Sequence, residues 1–570
     1  MKSNYFFKKM CLAIAAVAMG ISVNAETYYV SQWGNDDNSG LSQEDAFATL
    51  QEALDMVDPG DIIAIVGTVE MKEGAYVDVA GLTFIGVCEN ATIDGKNRPI
   101  LSVGGVLWGV GEQEYDFYFA NLTFKNATRN DGSGGAIQII TDVTARFSDC
   151  KFLNNKATTA SGGAISILGG EVEIYNCTFG GYNQGNQALI GGAINTGDVS
   201  RLNIENCSFL GNKTVIPTGN SVGGRGNGGA LFIGGCEDLV INNCIFADNA
   251  TDESEGGAGA IYLEYGSANI FNSSFYANTA KGEGGAIKVI YGNGFNIINS
   301  TLSGNTSFSG GAINFQVGER EVNIINCTVS GNVANGNTGH GGGIAVMFPK
   351  IFFNLYNSII EGNTAKEGGD KASDIAFLYE PTIIYPVNIK NSYVGNAFTV
   401  EFWDFYNLAV IENSQYNYLD DGGFPTNSEA RLSAYASTTT SGHIYYPLVE
   451  GSAGINGGDY SLLATGFGFS DDQFGIDRSS GCSVGAVQGV LCNSAYTLTV
   501  PAVDRVIEPY KDYTEEMLEF ICTTGIYDVA SDGAVAVAYY SVLGVKLDKE
   551  PASGVFIVKY SNGTVVKVLK

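Results

Sequence analysis

Positive charge is scarce in this chain. Against 60 Asp and Glu stand 30 Lys and Arg and 2 His, a net charge of −30 over 570 residues. Such a surface repels phosphodiester backbones and anionic lipid, which excludes nucleic acid as a partner. It also disfavours a polyanionic ligand unless cations bridge the two. Long apolar runs are missing as well: no segment after the N-terminal stretch has 18 consecutive apolar residues, so no helical membrane span is expected there. Local signatures of chemistry are absent too, with no zinc-ligand spacing, no phosphate-cradling loop and no serine-centred nucleophile motif.

What the chain has instead is repetition. Gly-Gly-Ala-Ile stands at residues 134–137, 162–165, 191–194, 284–287 and 310–313, with variants at 228–231, 258–261 and 341–344. Measured at the second glycine, the steps are 28, 29, 37, 30, 26, 26 and 31 residues. A period in this range marks a solenoid, propeller or array. No Leu-x-x-Leu frame, Trp-Asp signal or helical periodicity occurs inside the repeats, which argues against leucine-rich repeats and propellers.

One unit, residues 162–186, shows the logic. Paired glycines permit a tight bend. Ala164 to Ile167 alternate small or polar with apolar residues, Val172-Glu173-Ile174 alternate again, and Cys177-Thr178-Phe179 forms a third short run. Three strands and three bends describe one turn of a right-handed parallel β-helix. Inward residues are expected to include Ile137, Ile165, Leu231, Ile287 and Ile344, with Phe152, Phe179, Phe209, Phe246 and Phe275 from the third run. Before that run stands Asp149, Asn176, Asn206, Asn243, Asn272, Asn299, Asn326, Asn357 or Asn391. Asn and Asp tolerate a left-handed bend, and stacked amides can form a ladder. A second Asn recurs at Asn155, Asn212, Asn249, Asn278, Asn305, Asn332 and Asn363. Cys150, Cys177, Cys207, Cys244 and Cys327 share one position with Ser273, Ser300, Ser358 and Ser392, which implies small buried side chains and free thiols. Cys482 and Cys492 are the disulfide candidate.

The ends differ from the body. Residues 1–25 read as a signal peptide: Lys2, Lys8 and Lys9, an apolar Cys11–Ser22 and a small-residue site at Val23-Asn24-Ala25. Residues 26–61 form an N-terminal cap, with Ser42-Gln43-Glu44-Asp45 opening a helix that carries Ala46, Phe47, Leu50, Ala53, Leu54 and Val57. The β-helix is assigned to 62–493, a linker to 494–524 and a small β module to 525–570. Tyr28-Tyr29-Val30-Ser31, Gly34, Asp36, Asn38, Ala46–Leu50 and Pro59-Gly60-Asp61 resemble the N-terminal segment of secreted, pectate-lyase-like right-handed β-helix proteins. The Gly-Gly-Ala-Ile and Phe-x-x-Asn units resemble those of chlamydial polymorphic outer-membrane proteins, which are adhesins. Asp472-Gln473, Gly475, Arg478, Gly481-Cys482 and Gly485-Ala486 resemble the end of the β-helix in bacterial surface proteins with assorted C-terminal anchors. Residues 540–544, 554–558 and 565–568 are similar to the sorting domain of the type IX secretion system of Bacteroidetes. These resemblances imply delivery to the outer surface, with attachment to the outer membrane through the last module.

Catalysis is poorly supported. A β-helix lyase or glycoside hydrolase works in a groove along one sheet, with a Lys or Arg base beside Ca²⁺-binding carboxylates or with paired Asp/Glu. The row expected to point outward from the Gly-Gly-Ala-Ile strand is Gln138, Ser166, Asn195, Phe232, Tyr262, Lys288, Asn314 and Ala345, without a carboxylate. Lys288 and His340 are the base candidates, two repeats apart. Glu171, Glu173, Glu205 and Glu321 are scattered over the second run, and Arg225 lies in a glycine-rich insertion. Asp36, Asp37 and Asn38 are oxygen donors suited to Ca²⁺ or to a tight polar turn. Trp403, Tyr406, Tyr416 and Tyr418 lie in an aromatic-rich stretch suited to stacking on sugars or to filling a ragged core. The reading that follows is an exported adhesin or glycan-binding scaffold. Its partner is an extracellular glycan or a host or bacterial surface, and the alternative is a polysaccharide lyase or hydrolase.

Overall fold

The computed structural model describes residues 25–491, apart from short stretches that include 109–115, 217–225, 367–373, 378–386, 400–408 and 419–431, and four strands between 536 and 569. The signal segment 1–24, Arg225, Trp403, Tyr406, Cys492 and the expected linker lie outside the described residues. The chain winds into a right-handed parallel β-helix built from three ladders of short parallel strands. The first ladder runs from Thr27–Ser31 and Ile62–Val66 to Ala409–Glu412. The second begins at Thr68–Glu70 and the third at Ala75–Val79, and both reach the strand Gln415–Tyr418.

The two glycines of the repeat are required for different reasons. The first takes positive φ, 73° at Gly134, 69° at Gly162 and 74° at Gly284. The second lies against the next coil: a Cβ on Gly135 would sit 2.1 Å from the Gly163 carbonyl oxygen, and one on Gly163 2.2 Å from that of Gly192. Ala258, at φ 62°, is the variant in which alanine adopts the bend.

Inside, like stacks on like. Phe124, Phe152, Phe179, Phe209, Phe246 and Phe275 form a column with successive centroids 4.7–4.9 Å apart and near-parallel rings. All the inward residues named from the sequence are buried. The Cys/Ser position is a second column. The Cys177 N–H donates to Cys207 Sγ at 3.3 Å, that of Cys207 to Cys244 Sγ at 3.4 Å, and that of Cys244 to Ser273 Oγ at 3.1 Å. Each side chain also reaches back to the carbonyl two residues earlier, as Cys177 does to Tyr175. Cysteine and serine alternate because both supply one small donor and acceptor in one place. The cysteines of this column and Cys482 are free and buried, and burial pushes the Cys327 thiol up to about 12.

The two Asn sets divide the work differently from the expectation. Asn176, Asn206, Asn243 and their equivalents hold φ between 48° and 55°, as the bend requires, but their amides form only isolated links such as Asn243 Nδ2 to Asn206 Oδ1 at 2.7 Å. The continuous ladder belongs to the second set. Asn155, Asn186, Asn212, Asn249, Asn278, Asn305, Asn332 and Asn363 each donate to the next Oδ1 at 2.7–3.0 Å, ending on Asp374. Each Oδ1 also accepts the backbone N–H of the preceding Asn, so a fully buried amide is satisfied on every side. Asn186 escaped the sequence pattern because an insertion separates it from Phe179.

At the N-terminus the helix is shorter than the capping pattern predicts. It spans Leu50–Met56, capped by Thr49, whose Oγ1 accepts from Glu52 N. Ser42 Oγ does accept from Asp45 N, but Phe47 exchanges backbone bonds with Tyr29 and Ser31, and that extended pairing delays the helix. At the other end, residues 442–488, expected as further coils, lie beside earlier coils as a strap. Ser274 Oγ bonds the backbone of Ile444, Thr301 Oγ1 donates to Gln473 Oε1 at 2.7 Å, and Ser303 shares a 2.7 Å bond with Tyr446. Asn299, Asn357 and Asn391 turn their amides outward to carbonyls of Asp471, Asp459 and Gly457. The strap helix Tyr460–Phe467 presses Leu463 onto Ile298 and Ile325. Separately, Ala536–Ser541, Lys546–Leu547, Val555–Tyr560 and Val565–Leu569 form an antiparallel sheet, in keeping with the small C-terminal β module.

Candidate functional site

The row expected as an open floor is largely closed. Ser166, Asn314 and Ala345 are fully buried, and Tyr262 and Lys288 are 6% and 8% exposed. At Lys288 a neighbouring turn folds against the row: a Cβ on Gly257 would lie 2.4 Å from Lys288 Cδ. Lys288 Nζ is 3.0 Å from Glu283 Oε2, the same oxygen that accepts from Gln316, and sits 5.7 Å from the Tyr262 ring centroid. Lys288 is thus held by an ion pair under a turn, a poor position for a base. His340 stands in another turn, its backbone bonded to Ser309 and Gly310.

The outer face of the first ladder carries the scattered carboxylates, of which Glu173, Glu205 and Glu321 are engaged by a neighbouring coil while Glu171 is exposed. Glu173 Oε2 is 2.8 Å from Arg146 Nε, and Arg146 also reaches the Tyr118 hydroxyl and lies 5.2 Å from that ring. A hydrogen bond to Glu205 raises the Tyr175 phenol. Glu321 accepts from Asn354 Nδ2 at 3.0 Å. Further along, Asn269, Asn296, Asn323, Asn354 and Asn388 form an outer amide ladder with bonds of 2.7–2.8 Å. Arg146, Tyr118 and this outer ladder were missed in the sequence. The available signal was the alternation of Phe117-Tyr118-Phe119 and Ala145-Arg146-Phe147, which places both residues outward.

Asp36, Asp37 and Asn38 serve a turn. Asp36 Oδ1 accepts from Ala48 N and Thr49 N, each at 2.8 Å, and from Thr49 Oγ1, while Asn38 Nδ2 donates to Ala46 O. Among the described residues no group of three or more His, Cys, Asp or Glu is placed to hold a metal ion. Tyr416 and Tyr418 stand in the last strand of the coil, paired with Val394 and Ala397.

A different feature stands out at the corner between the third and first ladders. Ile140, Leu168, Tyr265 and Tyr291 are 51%, 47%, 50% and 59% exposed along this one corner. Tyr265 and Tyr291 stack with centroids 5.3 Å apart and an interplanar angle of 18°. Between the apolar pair and the tyrosines Asp198 and Gly235 stand at this corner: Leu168 pairs with Gly197, Val199 with Cys236 and Cys236 with Gly266. The missing side chain at Gly235 leaves a depression of about 290 Å³. It is lined by Asp198, Ser200, Glu237, Tyr265 and Asn293, among others. Among the described residues no lysine or arginine lines it; Arg201, next to Ser200 in the chain, is 3.8 Å from Asp238.

One family model agrees with this architecture. The family model of the right-handed β-helix region matches residues 111–302. A segment of 137 residues is 34% identical to metabotropic glutamate receptor-like protein R of Dictyostelium discoideum. It covers 24% of this chain and 8% of that protein, so the chain spans under a tenth of its curated relative's length. Similar solved structures include pectate lyase Pel9A, at 15% identity with a TM-score of 0.36 over 82% of this chain and 97% of that one. Another is XylC in complex with xylose, at 9% identity and a TM-score of 0.32 over 81% of this chain and 98% of that one. A rhamnogalacturonan lyase gives 14% identity and a TM-score of 0.24, over 74% and 95%.

Proposed function

We propose that this is an exported β-helix protein that binds extracellular glycan along the corner of its coil and does not cleave it. The observation that carries the reading is the line of exposed apolar and aromatic side chains at that corner. Ile140 and Leu168 stand on one side of the glycine depression, and the stacked Tyr265 and Tyr291 on the other. Soluble proteins rarely line up such groups without a contact to make, and sugar rings offer the C–H faces that aromatic rings cover. Delivery by the N-terminal signal and retention at the cell surface by residues 525–570 complete the proposal.

A glycan array probed with the full chain tests it, with product analysis by absorbance and reducing ends on every glycan bound. Binding without turnover is the expected result; silence across the array overturns the reading. The second reading, a polysaccharide lyase or hydrolase, draws on one cluster only, Arg146 between Tyr118 and Glu173. Arg146 lacks the setting of such a base, since its guanidinium is ion-paired to Glu173 and among the described residues no group of Ca²⁺-binding carboxylates stands beside it. Unsaturated or shortened products, lost in Arg146→Ala, would establish that alternative instead.

A further inference from the structure

We propose that the depression at Gly235 is a subsite for one uncharged sugar unit, stacked on Tyr265. The inference rests on the glycan-binding reading above and makes it specific. Stacking along a β-helix normally continues from coil to coil, as the interior phenylalanines do. Here it stops. Tyr291 stacks on one side of the Tyr265 ring, 5.3 Å away, while Tyr265 stays half exposed and lines the depression together with Gly235.

The floor is shaped by neighbouring coils. A Cβ on Gly235 would lie 2.9 Å from Asp198 Oδ1, so the Asp198 side chain folds directly against the glycine. Asp198 itself holds φ at 42°, a left-handed conformation that turns the chain at this corner. One coil below, Leu168 Cδ2 lies 3.0 Å from the point where a Gly197 Cβ would stand, so the apolar edge resumes there. Tyr265 supplies the aromatic wall of the depression, and Asp198, Ser200, Glu237 and Asn293 supply oxygen-bearing groups around it.

The chemistry of the rim selects the ligand. Asp198, Glu237 and Ser200 present hydroxyl and carboxylate oxygens, which accept hydrogen bonds from sugar hydroxyls. Carboxylates at the rim and a chain charge of −30 repel a uronate or sulfated sugar. A volume of about 290 Å³ stands at the small end of ligand sites, matching one ring of a longer chain. A quaternary or primary ammonium would also suit carboxylates, but its recognition relies on a cage of several aromatic faces, and only Tyr265 faces this space.

Isothermal titration of the full chain with cellohexaose, mannohexaose and xylohexaose, and in parallel with hexagalacturonate and choline, tests the assignment. At least one neutral oligosaccharide is expected to bind. Tyr265→Ala should weaken that binding about tenfold, the equivalent of about 1.4 kcal/mol, and Tyr265→Trp should retain it. Gly235→Leu, which fills the depression without touching Tyr291, should weaken it by at least as much. Lys151→Ala, on the exposed flank of the second ladder, should leave it unchanged. If neutral sugars bind and both Tyr265→Ala and Gly235→Leu are silent, the subsite is overturned while the glycan-binding reading survives. Preference for hexagalacturonate or choline overturns the ligand class. No binding by any glycan overturns both. Because Tyr265 is half exposed, an unchanged far-ultraviolet spectrum for the variant separates loss of binding from loss of fold.

Discussion

One position of the repeat behaves in two ways along the same molecule. In the second ladder the outward residue before the Phe column runs Lys151, Thr178, Ser208, then Ile245, Ser274, Thr301, Thr328 and Ile359, all in one register. Lys151 is exposed and Thr178 and Ser208 are half-buried, whereas Ile245 is 5% exposed and Ser274 and Ile359 are wholly buried. The backbone is the same in both halves; the difference is the strap. From Ile245 onward residues 442–488 lie on this flank, and side chains that face water in the early coils face protein in the late ones. A solenoid flank is therefore neutral ground whose residues are chosen by whatever covers it.

The largest effect should come from the residue that closes the strap. Arg478 is fully buried, and its guanidinium donates to the carbonyls of Ser483, Gly485 and Ala486. Arg478→Ala leaves these acceptors without a partner and should cost about 4 kcal/mol. Hydrogen exchange should rise sharply across 442–488 and hardly at all across 134–214. Equal loss in both regions would mean that the two flanks unfold as one.

Acid should act next. Burial lowers the His443 imidazole from 6.5 to about 4, in a site where Ser274 Oγ lies 3.1 Å from Nδ1. The folded state therefore holds this histidine neutral, and its stability is intact above pH 6.5. It declines as the pH falls from about 6.5 to about 4 and then levels off, with about 3 kcal/mol lost in all. His443→Gln should flatten that part of the stability profile while the early coils keep their own.

Exchanging the two flanks sharpens the contrast further. Ile245→Lys places the ammonium of the open flank under the strap and should cost about 2–3 kcal/mol. The reverse change, Lys151→Ile, should move stability by less than about 0.5 kcal/mol, since nothing covers it. Chemical denaturation of both variants checks this, and equal effects would show that the strap does not bury the late flank. The smallest change belongs to the interior. Cys207→Ser keeps both column bonds, to Glu205 O and from Cys177 N, and should cost less than about 1 kcal/mol, whereas Cys207→Val removes them.

How far the sequence could be read follows from what repeats. Gly134-Gly135 and Gly162-Gly163 revealed the bends because positive φ at the first glycine and contact with the next coil at the second leave glycine little competition. Phe152 to Phe275 revealed the core because one ring must match the ring above. Both Asn sets were visible and the first holds the expected bend, yet the ladder expected of it belongs to the second: spacing shows that an amide recurs and not which of its neighbours it meets. The strap was illegible, since residues 442–488 repeat nothing and their partners stand up to 200 residues away, as for Gln473 and Ser273. The outward row of Ser166, Tyr262 and Lys288 was legible in direction but not in exposure, because what packs over it, such as the turn at Gly257 over Lys288, lies in another unit.

The same limit applies to the corner. Tyr265, Gly235 and Asp198 are unremarkable in their own repeats, and only the register of three successive coils sets a glycine beside a half-exposed ring. By itself the sequence determined that this chain coils, where it bends and which side chains fill the inside, because those properties are local to one unit and enforced by stacking it on its copies. The tertiary structure alone decided which outward residues meet water, which meet the strap and where a hollow opens. Those depend on insertions and distant segments, whose packing no periodicity records.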